Sequence, residues 1–143
     1  MPKNRNRTSE YAWFASHAVY VRNLNRNPDL LEPYILRSLS NIKIVSIHAS
    51  CTGCHFVAID VDGIAWLFGR NGFSCLGVEG IDAVSESAPL KLRASDLGAE
   101  DHTRFVDAAC GRNHTLLIAS DGTCWTAGAN NLGQACVLLL SCA

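Results

Sequence analysis

Residues 47–77 recur as residues 106–136. Written one above the other at an offset of 59, without gaps, nine of 31 positions are identical. They are Ala49/Ala108, Cys51/Cys110, His55/His114, Ile59/Ile118, Asp62/Asp121, Gly63/Gly122, Trp66/Trp125, Gly69/Gly128 and Asn71/Asn130. About two identities would arise by chance at average residue usage. The segment ahead of each unit repeats as well, with Pro33, Leu36 and Arg37 matching Pro89, Leu92 and Arg93. A period of this size means one supersecondary unit copied, and such units bury their apolar faces by stacking on each other.

Each unit reads as β-structure. His55–Asp60 and His114–Ala119 are short apolar runs followed by Asp62-Gly63 and Asp121-Gly122. Asp-Gly predicts a type I′ hairpin turn, with positive φ at both central residues. Ile64–Phe68 and Thr123–Ala127 are the expected returning strands, and Gly69 and Gly128 the points where the chain turns sharply. Ile44–Ala49 and Phe105–Ala109 supply an earlier strand in each unit, and a fourth is expected around Pro89–Arg93. Val78–Ala88, polar and acidic, reads as a surface loop. Four-stranded antiparallel units at this spacing predict an all-β chain of propeller blades, about two of them, forming an incomplete propeller. The two sheets are expected to pack around Trp66 and Trp125. Neither unit carries a useful 3.6-residue apolar period, which excludes a helical solenoid. The organisation follows: a basic segment at 1–32, repeats at 33–88 and 89–136, and an apolar tail at 137–143. Ala12-Trp13 in the first segment reads as a remnant of a preceding unit.

Composition narrows the function classes. The chain of 143 residues is 48% hydrophobic and 17% charged, with a net charge of −1. That excludes disorder of the whole chain. No apolar run approaches the ~18 residues of a membrane span. Residues 1–43 hold seven Lys/Arg and three Asp/Glu, and residues 44–143 hold five and ten. A nucleic-acid contact is therefore expected at most through the basic N-terminus. The basic start is followed by no apolar stretch, so a secretory signal is not expected. Seven cysteines then read as reduced thiols of an intracellular chain, nuclear or cytoplasmic, with Cys51 and Cys110 buried at strand ends.

The segment Ala-Ala-Cys110-Gly111-Arg-Asn-His114-Thr-Leu, then Asp121-Gly122, Trp125 and Gly128-x-Asn130-x-x-Gly133-Gln134 resembles the repeat of the regulator of chromosome condensation family. The first unit is thinner: Ser74-Cys75 stand where that repeat has Gly-Gln, and Leu76-Gly77 restores its Leu-Gly. Ala135-Cys136 depart from it, and the tail matches nothing. The resemblance covers about residues 33–134. It implies part of a propeller of about seven blades, hence a fragment or a misjoined gene. It further implies a protein-interaction module with no enzyme activity of its own and no cofactor. Its partners are expected to be proteins, a small GTPase or a chromatin component among them, and no membrane. The alternative it implies is guanine-nucleotide exchange on a small GTPase, or a chromatin-associated regulator.

The candidate site residues weigh against that frame. Cys51-Thr-Gly-Cys54-His55 has the c-type haem pattern, in which two thiols bind the vinyl groups and the histidine binds iron. The repeat aligns Cys54 with Asn113, so one unit alone carries it. Zinc would draw on His48, Cys51, Cys54 and His55, yet no second ligand pair follows at finger spacing. Haem or zinc binding through Cys51, Cys54 and His55 is the remote alternative. The recurring positions Cys51, His55, Asp62, Gly63, Trp66, Gly69, Asn71, Cys110, His114, Asp121, Gly122, Trp125, Gly128 and Asn130 read as structural. The two histidines are expected to bond backbone carbonyls at the start of inner strands. No residue is assigned a catalytic, cofactor or metal role.

Overall fold

The computed structural model describes residues 36–133. Eight strands run β1 (Ile44–Ala49), β2 (His55–Asp60), β3 (Ala65–Arg70), β4 (Ala83–Val84), β5 (Leu90–Leu92), β6 (Phe105–Cys110), β7 (His114–Ala119) and β8 (Cys124–Gly128). They form two antiparallel sheets, one ordered β1-β2-β3-β4 with β5 also on β3, the other β6-β7-β8. The all-β reading holds, with five and three strands in place of three or four each. The fourth strand expected near residues 89–93 is β5. It pairs Leu90, Lys91 and Leu92 with Leu67, Trp66 and Ala65 and so belongs to the first sheet, although it heads the second repeat in sequence. The loop expected at 78–88 contains the short β4. Among the described residues no helix is long and apolar enough to cross a membrane. The Ala12-Trp13 remnant, the basic segment at 1–32 and the tail at 137–143 lie outside the described residues.

β2 is the central strand, and all six of its residues are buried, as a short apolar run bounded by turns should be. Its side chains alternate between two faces. His55, Val57 and Ile59, with Leu67 of β3, face the second sheet. His55 meets Thr115, and Leu67 shares the seam with Thr115 and Leu117 of β7 and Trp125 and Ala127 of β8; the space left there is about 10 Å³, no more than one water needs. Phe56 and Phe68 lie on the opposite face with rings stacked 5.6 Å apart. The two tryptophans therefore differ. Trp125 is in the seam, edge-on to Phe105 at 5.8 Å. Trp66 is on the far face of the first sheet, its indole N–H donating to the Asp60 carboxylate at 2.9 Å and its ring under the Lys91 ammonium. Alternation puts Trp66 on the side away from Leu67, so it cannot share the seam as expected. The same alternation turns Ile118 outward: it is 38% exposed, while Ile59 at the matching position is 1% exposed.

The hairpin turns differ from expectation in type. Gly63 and Gly122 have φ of +73° and +86°, but Asp62 and Asp121 do not have positive φ. Gly63 N–H donates to the Asp60 carbonyl and Asp60 N–H to the Ile64 carbonyl, and residues 119–123 repeat the pattern. These are three-residue loops, a type I turn closed by a left-handed glycine. Asp60 holds the first one: Oδ1 accepts from the N–H groups of Asp62 and Ile64.

Pairing also shows what ungapped alignment concealed. β2 and β7 correspond at an offset of 59, but β1 and β6 correspond at 61, Ile44 onto Phe105 and Ala49 onto Cys110, each pair carrying the same bulge. The β1–β2 connection, residues 50–54, is thus two residues longer than the β6–β7 connection, residues 111–113.

Candidate functional site

One end of both sheets gathers the β1–β2 and β6–β7 connections and the loops that leave β3 and β8. Gly69 and Gly128 bring these together. Each has φ +115° within its strand, and a Cβ on Gly69 would stand 2.5 Å from the Cys54 carbonyl oxygen. Gly128 makes the same approach to Asn113. They are points of close backbone approach inside β3 and β8, where the sequence suggested sharp turns.

Beyond β3 the loop is organised by Asn71, which is 5% exposed. Its Nδ2 donates to the carbonyls of Val78 (2.6 Å) and Ile81 (2.9 Å), Oδ1 accepts from Leu76 N–H (2.8 Å), and its own N–H donates to Asp82 (2.7 Å). Every polar group of this buried amide is used, which fixes a loop that has little regular structure. On it Phe73 projects to solvent, 62% exposed, at φ +57°, with Ser74 beside it at +55°. The left-handed region costs an L-residue about 1–2 kcal/mol. Leu132 occupies the matching position beyond β8, at an offset of 59, and is 92% exposed; Ile81, on the same loop as Phe73, is 46% exposed. Two units thus present an apolar side chain at one repeat position on one rim. The signal was in the sequence, since Phe73 and Leu132 each stand two residues after the recurring asparagine.

The seam below this rim is latched by polar groups. Thr115 Oγ1 donates to the Cys75 carbonyl at 2.7 Å, which leaves it to accept from His55 Nε2–H at 2.9 Å. Nε2 thus meets a hydroxyl from the other sheet, and that hydroxyl in turn bonds a backbone carbonyl. Burial holds the His55 imidazole below its ordinary value, with the backbone of His114 opposing that and the His114 charge adding to it. Cys110 Sγ donates to the His48 carbonyl at 3.4 Å across the seam. Burial, with the Cys75 thiol nearby, pushes Cys110 up to about 12, and burial raises Cys75 as well.

The haem and zinc readings require His55 beside Cys51 and Cys54. The structure separates them: His55 is 1% exposed and engaged in the seam, while both cysteines are exposed. Burial of Cys51 is likewise overturned, because β1 ends at Ala49 and Cys51 falls in the longer connection. His48 binds Ser46 Oγ at 2.9 Å. Asp62, Gly63, Asp121 and Gly122 sit at the opposite end of the sheets. There the Asp121 carboxylate is held below its ordinary value by hydrogen bonds from the Thr123 N–H and hydroxyl. An open groove of about 440 Å³ lies beside it, lined by Leu97, His102, Thr103 and Trp125 among others.

Comparison with known proteins gives this geometry a context. The "Regulator of chromosome condensation (RCC1) repeat" pattern matches residues 62–118 in one form and 105–134 in another. Protein RCC2 homolog of Xenopus laevis is 31% identical over 113 residues, which is 79% of this chain and 20% of that protein. Protein RCC2 of Homo sapiens is 32% identical over the same length, with the same coverage. Among solved structures, Prp20p of Saccharomyces cerevisiae, reported with its binding properties to Gsp1p and histones, superposes with a TM-score of 0.60. The identity there is 22%, over 85% of this chain and 27% of that one, so the likeness is one of fold. The chain spans about a fifth of the length of the curated relatives it matches.

Proposed function

The chain belongs to the regulator of chromosome condensation repeat family, and from that premise we propose that it is a protein–protein interaction module. Its contact surface is the rim that carries Phe73, Ile81 and Leu132. The observation that supports this is the recurrence of an exposed apolar side chain at one position of both repeats, one of them held at positive φ. Backbone strain persists where surrounding structure enforces it, and it gathers at binding sites. The repeats at 33–88 and 89–136 serve this surface. His55 and Cys110 join the sheets, Asp62-Gly63 and Asp121-Gly122 close the hairpins, and Asn71 shapes the loop.

A solved structure of the same fold suggests the partner class. Prp20p is described with binding to Gsp1p and histones, so the proposal names a small GTPase or a chromatin component, met inside the cell in the nucleus or cytoplasm. The test is a binding titration of the full chain against immobilised histones and, separately, a nucleotide-free GTPase of the Gsp1p type. Phe73→Gly removes the aromatic contact and also relieves the left-handed strain. Binding to one of the two should weaken tenfold or more in this variant, while its melting temperature stays level or rises. Binding to neither protein, or equal binding by the variant, would overturn the reading.

A further inference from the structure

The thiols of Cys51 and Cys54 make none of the bonds that latch the seam; it is the Cys54 carbonyl, not a thiol, that joins the recurring framework beside Gly69 and Arg70. The pair lies in the β1–β2 connection, residues 50–54, which is two residues longer than its counterpart, and that counterpart, residues 111–113, contains no cysteine. Both thiols are free and exposed, in contrast to Cys75, which is buried, and to Cys110 and Cys124, which are half-buried. The ladder ends at Ala49 opposite Phe56, and residues 50–54 carry the chain back, with Cys51 inside the reversal and Cys54 on its outgoing arm. Two residues three apart on so short a loop can come within the roughly 4.4–6.8 Å between Cα atoms that a disulfide spans. The reversal is held by Gly53 N–H on the Ser50 carbonyl and by Ser50 Oγ on Thr52 N–H. Arg70 N–H on the Cys54 carbonyl at 2.8 Å ties its outgoing arm to β3.

We propose that Cys51 and Cys54 form a thiol–disulfide exchange site that takes a small disulfide as co-reactant and closes an intramolecular disulfide across the turn. In the first step one thiolate attacks a sulfur of the co-reactant. A mixed disulfide forms, and one small thiolate leaves with the electron pair of the broken S–S bond. In the second step the other cysteine thiolate attacks the mixed disulfide at the protein sulfur and releases the second small thiolate. The protein loses two protons and two electrons, and the co-reactant takes them up and is reduced to two thiols. The turn also sits on the seam: a Cβ on Gly53 would stand 2.6 Å from the Gly111 carbonyl oxygen of the second sheet. Closing the disulfide therefore alters a turn that touches both sheets.

The test exposes the full chain to mixtures of oxidised and reduced glutathione, followed by acid quenching, alkylation and mapping of the tryptic peptide 44–70. The expected result is a Cys51–Cys54 disulfide within that peptide, with loss of both free thiols. Cys51→Ser should trap glutathione on Cys54, at a level tenfold or more above that of the mixed disulfide in the unchanged chain. Both positions are exposed, so the single variants fold. Thiols that stay reduced at every ratio would overturn the proposal. So would glutathione accumulating equally in the unchanged chain and in the single variants, or pairing of either sulfur with a cysteine outside the turn.

Discussion

His55 shows how one residue type acquires a role from its surroundings. Its position at the head of an inner strand was readable from the repeat; its partner was not, because Thr115 is 60 residues away and replaces the Phe56 of the first unit. Burial disfavours the imidazolium, so below the ordinary histidine value near 6.5 the unfolded chain binds more protons than the folded one. Stability is then whole above that value and falls as the pH drops through it. One such proton changes stability by at most about 1.4 kcal/mol per pH unit. Melting curves of the full chain between pH 7.5 and pH 5 should show a falling midpoint, and His55→Gln should flatten the fall. An equally steep fall in the variant would place the linkage on another group. Thr115→Val leaves the His55 N–H and the Cys75 carbonyl without their partner and should cost about 1–3 kcal/mol in denaturant unfolding. A cost under about 0.5 kcal/mol would mean that the latch holds nothing.

At the level of elements, the strands were legible because alternating or continuous apolar runs between Gly-rich turns leave little choice. Turn type was less legible. Asp-Gly is compatible both with a type I′ turn and with a type I turn followed by a left-handed glycine, and pairing of Asp60 with Ile64 decides for the second. The register was hidden for a different reason. Cys51 and Cys110 are identical at an offset of 59, yet the ladders make Ala49, which pairs with Phe56, the counterpart of Cys110, which pairs with Thr115. Identity of residues carried no information about where a two-residue lengthening of the hairpin falls. The loop beyond β3 depends on Asn71, whose three side-chain hydrogen bonds reach residues 76, 78 and 81. Asn71→Ala strands three backbone groups and should cost about 3 kcal/mol, with amide exchange in residues 72–82 accelerating ahead of the rest of the sheet. Uniform exchange in that variant would show that the loop is held by packing alone.

On the scale of the whole molecule, the two sheets stack through a seam with almost no free volume, while both rims stay open to solvent. That arrangement suits a scaffold: the framework positions loops, and the loops meet a partner. The repeat made the stacking foreseeable, but which rim meets a partner rests on exposure and backbone strain at Phe73, neither of which a sequence displays. Hydrogen exchange of the full chain, alone and with the histone or GTPase that it binds, tests the choice of rim directly. Protection should rise at residues 71–81 and 129–133 and stay constant at the hairpin turns 61–63 and 120–122. Protection that rises at those hairpin turns, with none at residues 71–81, would contradict the account.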